Sequence, residues 1–261
     1  MRVVHPLSAA LVARLARTRV EPWHVVVAHS LIGAGAAVLL AVDARWSLLS
    51  AAVLLQVKTV LDNADGGLAR ATGRVTELGR YLDTGLDLVV NVLVFLALAQ
   101  HGSLLLAVLA LVVLTVVLSY DFNAEALYRA AHADQAAEAP DQNGLSPRTS
   151  LALTLFRGLY RLVLAPQDRA IRRLDASLFR RATGLLYANA PAHARREWSN
   201  VASTGALVNL GLSTQYLALG VCAALGAPYA YVYLVLAQGL YVAAVQVTRV
   251  AMARRVGWAA S

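Results

Sequence analysis

Long apolar runs alternate with shorter polar segments along most of the chain. A helix needs about 20 predominantly apolar residues to cross a bilayer, and a search with that window finds six candidates. Three are clearly apolar, and the other three carry polar side chains that favour packing against helices rather than lipid. In chain order they are 24–42, 46–61, 84–100, 103–120, 199–222 and 229–248. The pattern predicts an all-α integral membrane protein with six transmembrane helices.

The N-terminal segment, 1–23, has a different pattern. Leu7, Leu11 and Leu15 share one helical face, and arginines are spread through the segment at positions 2, 14, 17 and 19. This is not the basic-then-apolar order of a cleavable signal peptide. It predicts an amphipathic helix at the membrane interface, and a solvated basic tail is the alternative.

A second polar region, 123–197, separates the fourth and fifth predicted spans. Its first part, 123–150, is rich in alanine and then in turn residues, which predicts a helical extension followed by a loop. Segment 151–181 is apolar at helical spacing and then arginine-rich, which predicts two amphipathic helices broken at Pro166 on the cytoplasmic leaflet. Nothing marks a soluble domain, so we predict that 24–261 is one six-span domain that includes this segment.

Composition narrows the protein class. The chain of 261 residues is 59% hydrophobic and 15% charged, with a mean hydropathy of +0.59 and one cysteine. Soluble domains are about 25% charged. The values exclude a soluble globular enzyme, a disordered chain, and a disulfide or cysteine–zinc scaffold.

Charge predicts the orientation. The chain has 23 basic and 15 acidic residues, and six spans would place every basic residue except Arg45 and Lys58 on one side. Basic residues stay on the cytoplasmic side, so we expect both termini in the cytoplasm. The arginines lack interleaved aromatic residues or a reader motif, which argues against nucleic-acid binding and favours anionic membrane lipids as partners.

Four acidic residues, the aspartate cluster, lie where the second and third predicted spans meet the cytoplasmic boundary. Their spacing places them in pairs on the faces of two consecutive helices. Carboxylates at a membrane boundary need compensating charge, and Mg²⁺ prefers such oxygen ligands and also binds substrate phosphates. Four carboxylates suffice for two shared metal ions, which suits in-line phosphoryl transfer. The cluster comprises Asp62, Asp65, Asp83 and Asp87.

Nearby residues support phosphate chemistry. Lys58 is four residues before Asp62 and could pair with it. Gly66 and Gly67 allow close approach of a substrate or another backbone, and Arg70 offers a fork for phosphate oxygens.

Other charged and titratable residues carry weaker signals. The histidines show no zinc-ligand spacing and are interpreted as interface or loop residues. Arginines bordering the last two predicted spans are candidate phosphate or acceptor contacts, with positive-inside anchoring as the alternative. These are Arg195, Arg196 and Arg249.

The spacing around the aspartate cluster resembles the complete signature of the CDP-alcohol phosphotransferase (CDP-alcohol phosphatidyltransferase) family. Eight positions match in order and spacing, over about a tenth of the chain. They are Asp62, Asp65, Gly66, Ala69, Arg70, Gly79, Asp83 and Asp87.

The resemblance implies a reaction in which a CDP-alcohol donates its phosphoryl-alcohol group to a hydroxyl and CMP leaves. It implies that the aspartate cluster binds two divalent cations, Mg²⁺ or Mn²⁺, at the cytoplasmic membrane boundary, that Asp87 is the general base, and that the chain is a homodimer. We expect CDP-diacylglycerol as donor and a small polar alcohol as acceptor. The residues expected to form the CDP pocket, here called the nucleotide residues, are Gly66, Ala69, Arg70, Thr76 and Gly79.

Part of the family pattern is missing, and alternatives remain. Pro22 and Gly33 fit the usual first span, but Trp23 and Val26 replace its Asn and Thr. A CDP-choline or CDP-ethanolamine donor with a diacylglycerol acceptor would use the same motif. A cation-coupled secondary transporter would also explain acids between spans, although it would not explain the spacing of the small residues and Arg70. A structural membrane protein with helix-capping aspartates is the third alternative.

Overall fold

The structure is a computed structural model that describes residues 4–42, 44–132 and 151–255. Throughout these ranges the regular structure is helical, without a strand. The α-helices are α1 (Val4–Leu15), α2 (Pro22–Ala41), α3 (Arg45–Ala71), α4 (Glu77–Leu98), α5 (Leu104–His132), α6 (Leu151–Leu159), α7 (Ala165–Thr183), α8 (Ala192–Trp198), α9 (Val201–Val208), α10 (Leu212–Ala224) and α11 (Ala230–Arg255).

Several helices can cross a membrane. In the described part of the chain, α2, α4 with its 3₁₀ extension, α5 and α11 are long and apolar enough, and α9 with α10 forms a fifth candidate if the pair is one broken span. Helix α3 has 27 residues, about 40 Å at 1.5 Å per residue. It carries Lys58 and two aspartates, so it is less apolar than the others. The protein is therefore an integral membrane protein, and the six-span count stays a prediction.

Helices α1 to α4, with α6, belong to one compact unit, formed by the described residues among Met1–Leu111, Asp141–Leu162 and Gln215–Tyr233. Helix α2 packs against both α3 and α4, α1 packs against α3, and α6 packs against α4. Small residues make the close packing of α2 possible, since Ala36 and Ala37 are buried and Gly33 has no side chain. Helix α2 thus brings α3 and α4 to a common site.

The connection between α3 and α4 is a short turn. Gly73 has a φ of 65°, a left-handed conformation that glycine adopts without strain. Thr76 then caps α4, because its hydroxyl accepts a hydrogen bond from the Gly79 amide at 3.0 Å. The turn places the end of α3 beside the beginning of α4.

The second unit contains the described residues among Val112–Pro140, Val163–Thr214 and Leu234–Ser261. One apolar cluster joins the middle of α5 to α7 and α11 through Val117, Ile171 and Val242. A second surrounds Phe179 and Trp198. These clusters hold the amphipathic helix α7 within this unit.

Some predicted boundaries change. Segment 151–181 does form two helices, but a π-helical turn at Tyr160–Leu164 separates them, and Pro166 lies in the first turn of α7. Proline is favoured there because the first turn leaves its backbone N–H positions unbonded. Helix α5 continues to His132, as the predicted extension requires. The predicted loop after it, 133–150, lies outside the described residues.

Candidate active site

Side chains from three helices converge at the aspartate cluster. Helix α3 supplies Asp62 and Asp65, and α4 supplies Asp83. Helix α2 contributes His29. One ligand atom from each of these residues lies within 4.8 Å of the others, so the four form a group that could hold a metal ion. We call it the ligand group.

His29 lies at the centre of the ligand group. Its Nε2 atom is 2.9 Å from Asp65 Oδ2, 3.5 Å from Asp83 Oδ1 and 3.8 Å from Asp62 Oδ1. The side chain is fully buried. All three carboxylates therefore meet the same nitrogen of one imidazole ring.

Lys58 makes the second set of contacts. Its Nζ atom is 2.7 Å from Asp87 Oδ1 and 3.6 Å from Asp62 Oδ1. The approach to Asp62 follows the predicted spacing along α3. The shorter contact to Asp87 reaches the next helix, and it ties the fourth aspartate of the cluster to α3.

The Lys58 side chain is fully buried and packs among side chains of other helices. A Cβ atom on Gly33 would lie 3.0 Å from Lys58 Cδ, so the glycine leaves room for the lysine stem. The ammonium lies 4.8 Å from the centre of the Tyr216 ring, within cation–π range. The Tyr216 hydroxyl donates to Asn91 Oδ1 at 3.0 Å, which fixes the ring.

Exposure varies across the site. The side chains of Asp65 and Asp62 are 9% and 21% exposed, whereas that of Asp83 is 37% exposed. The site therefore opens to its surroundings on the Asp83 side. Asp83 Oδ1 is itself buried and has no hydrogen-bond partner, and carboxylate oxygens in this state suit a cation.

Helix α6 covers α4 between Asp83 and Asp87. A Cβ on Gly85 would overlap the Phe156 ring, so the helices touch only because Gly85 lacks a side chain. An ion pair of 2.8 Å joins Arg157 to Glu77 at the start of α4. Helix α6 is thus fastened to the helix that carries half of the aspartate cluster.

The nucleotide residues lie beside the cluster, at the end of α3 and the start of α4. Arg70 is exposed and makes no ion pair with the described part of the chain. Its guanidinium lies over Gly66, since a Cβ atom on Gly66 would be 3.4 Å from Arg70 Nη1. Thr76 and Gly79 form the cap of α4. A Cβ on Gly67 would lie 3.0 Å from Val12 Cγ2, so this glycine admits α1.

The three arginines predicted as acceptor contacts belong to the second unit. Arg249 is buried, donates to Asp175 Oδ1 at 2.8 Å, and lies 4.3 Å from the centre of the Trp198 ring. Arg196 donates to the Ala131 carbonyl at 3.2 Å, and Arg195 is on the same helix, α8. The ion pair with Asp175 compensates the charge of the buried Arg249, so packing within this unit accounts for its burial. A role in acceptor binding stays a prediction.

One site residue and one contact were not predicted from the sequence. His29 was interpreted as an interface or loop histidine because the histidines show no zinc-ligand spacing, and it lies 33 positions before Asp62. A usable signal was its position one helical turn before Gly33, since i and i+4 share a face. The contact from Lys58 to Asp87 has no signal in local spacing.

Comparison with known proteins identifies the family of the chain. The family model described as CDP-alcohol phosphatidyltransferase matches residues 12–179, which include the ligand group, Lys58 and Asp87. No curated protein and no solved structure matches the chain. The match covers more than half of the sequence, and the chain belongs to the CDP-alcohol phosphatidyltransferase family.

Proposed function

We propose that this chain transfers the phosphatidyl group of CDP-diacylglycerol to the hydroxyl of a small polar alcohol and releases CMP, as a step in phospholipid synthesis. The observation that carries the proposal is the convergence of Asp62, Asp65 and Asp83 from two helices at one point. The family supplies the reaction class, a phosphotransferase of phospholipid synthesis.

The aspartate cluster is the proposed site of two divalent cations, Mg²⁺ or Mn²⁺. The oxygen-rich donor set fits such ions, and Asp83 Oδ1, which is buried and accepts no hydrogen bond, offers a ligand atom. When bound, the cations neutralise the diphosphate and stabilise the charge on the departing CMP. The chain contributes the rigid frame, because α2 packs against both helices that carry the carboxylates.

Asp87 is the proposed general base. It takes the proton of the acceptor hydroxyl while the new oxygen–phosphorus bond forms and the bond between phosphorus and the CMP oxygen breaks. Lys58 holds Oδ1 of Asp87 at 2.7 Å, so one oxygen is fixed and the other is left for the acceptor. Lys58 is thus a positioning residue in this mechanism.

The nucleotide residues are the proposed CDP pocket. The exposed Arg70 pairs with the diphosphate, and the small side chains of Gly66 and Ala69 leave space for the nucleotide. Thr76 and Gly79 shape the beginning of α4 beside it.

We further propose that both termini and the site face the cytoplasm and that the chain is a homodimer. The segregation of arginines supports the orientation. A site at the cytoplasmic boundary would receive the lipid donor from the membrane and the polar alcohol from the cytoplasm, and would release CMP into the cytoplasm.

The test is CMP release by the purified protein in lipid nanodiscs, with CDP-diacylglycerol, Mg²⁺ or Mn²⁺, and a panel of small alcohols. We expect metal-dependent CMP release with one acceptor class. Asp87→Asn should lower turnover by at least about a hundredfold, the lower range for a general base. The control is Asp121→Asn, which changes an aspartate on α5 outside the signature.

Several results would contradict the proposal. If Asp87→Asn kept wild-type turnover, Asp87 would not be the base. If CMP appeared only with a water-soluble CDP-alcohol and diacylglycerol, the donor assignment would be reversed. If cations crossed proteoliposome membranes without CMP release from any donor, the chain would be a transporter.

A further inference from the structure

The ligand group contains a nitrogen donor in addition to its oxygens. His29 is fully buried. The other members of the group lie at least 33 positions away from it along the chain. Its presence therefore depends on the packing of α2 against the two helices that carry the aspartates. The signature residues do not include this position.

All polar contacts of the ring run through one atom. Nε2 faces the carboxylates of Asp65 and Asp83 at 2.9 and 3.5 Å, whereas Nδ1 has no hydrogen-bond partner. The ring thus presents a single edge to the point where the carboxylate oxygens converge. A ligand bound by these carboxylates would meet Nε2 as well.

We infer that His29 is a direct nitrogen ligand of a divalent cation held by Asp62, Asp65 and Asp83. The inference rests on the proposed function, which places divalent cations at the aspartate cluster. It adds an imidazole to a site otherwise made of oxygen ligands.

A nitrogen ligand changes which metal binds best. Carboxylates alone suit Mg²⁺ and Mn²⁺, whereas imidazole favours the transition metals and contributes little to Mg²⁺ binding. His29 therefore shifts the preference of this site from Mg²⁺ towards Mn²⁺. Replacing it with Gln should lower the ratio of Mn²⁺ to Mg²⁺ affinity by about tenfold or more, since even residues outside the ligand shell change metal affinity by that factor.

The competing explanation is that His29 only balances the carboxylate charges. In that case an arriving cation would displace the ring, and no metal–nitrogen bond would form. The two explanations differ in the magnetic coupling between Mn²⁺ and the histidine nitrogens, which is measured without turnover.

The experiment uses the full chain in nanodiscs, loaded with Mn²⁺ alone and grown with either ordinary or ¹⁵N-labelled histidine. Pulsed electron paramagnetic resonance of the bound Mn²⁺ should show ¹⁴N modulation in the first sample and ¹⁵N modulation in the second. His29→Gln should abolish the modulation. The control His24→Gln, on the same helix but exposed, should keep it. Competition titration gives the ratio of affinities.

The outcomes separate the two proposals. Tightly bound Mn²⁺ without histidine-nitrogen modulation in the wild-type chain would overturn the inference, whether or not the variants fold. Failure to bind Mn²⁺ would overturn it too. Nitrogen modulation in a chain that releases no CMP would support His29 as a ligand and refute the proposed function. CMP release without modulation would support the proposed function and refute His29 as a ligand.

Discussion

The buried lysine gives the sharpest test of how the site is held together. Lys58→Met keeps an unbranched side chain of similar length and removes the charge. Asp87 would lose its 2.7 Å partner, and Asp62 its 3.6 Å partner. The Asp87 side chain is only 16% exposed, so water compensates poorly for the loss.

The expected magnitude follows from burial. Removing one partner of a buried ion pair costs about 3–5 kcal/mol, and the residual exposure of Asp87 favours the lower end. We therefore expect a loss of about 3 kcal/mol in the free energy of unfolding without divalent cations. For a chain of this size, that corresponds to a fall of roughly 6–12 °C in the unfolding midpoint.

The chain has a built-in reporter for this measurement. Its one cysteine, Cys222, is buried, so a thiol-reactive fluorescent maleimide reacts when the protein unfolds. A thermal ramp in detergent with a chelator gives the midpoint. The matched control is Arg80→Met, which removes an exposed basic residue of α4 and should shift the midpoint little.

The double variant distinguishes charge from packing. In Lys58→Met/Asp87→Asn neither an unpaired carboxylate at position 87 nor an unpaired ammonium at position 58 remains, so the midpoint should lie above that of either single variant. Saturating Mg²⁺ should stabilise Lys58→Met more than the wild-type chain. If Lys58→Met unfolded within about 2 °C of wild type, or if the double variant recovered nothing, the electrostatic account of the site would be wrong.

Three more perturbations test packing around the site and in the second unit. Gly85→Ala should lower the unfolding midpoint by displacing α6, and Gly85→Ala/Phe156→Ala should recover part of the loss. Equal midpoints for wild type and Gly85→Ala would refute the close contact. Gly33→Ala should destabilise the chain as well, because its Cβ would lie 2.7 Å from a valine of α4, and its midpoint is read by the same thiol assay. Arg249→Met should cost about 3 kcal/mol in circular-dichroism melts, and adding Asp175→Asn should relieve part of it. An unchanged melt with a raised acceptor KM would instead support an acceptor contact.

Hydrophobic runs were sufficient to predict the helical class. The aspartate spacing predicted that all four carboxylates meet; three do so in the ligand group, whereas Asp87 pairs with Lys58. Both depend on local periodicity, which a sequence displays directly. The faces of α3 and α4 follow from intervals of three and four residues. The family assignment rests on the same intervals and is confirmed.

Features that depend on contacts between distant segments were harder to predict. His29 reaches the cluster only because Gly33 and its neighbours let α2 pack against α3 and α4. The position of Arg249 in the sequence is that of an arginine at the membrane boundary. In the structure it pairs with Asp175, which is 74 positions earlier. The break before α7 is set by a π-helical turn rather than by Pro166, because proline fits the first turn of a helix.

The partners of the carboxylates on α3 bear on how the protein is made. Asp65 meets His29 on the preceding helix, and Asp62 meets Lys58 on its own helix. During synthesis these residues leave the ribosome before Asp83 and Asp87. Helices α2 and α3 can therefore enter the bilayer with both acids already paired, so their insertion does not have to wait for a metal ion or for the last residues of the site.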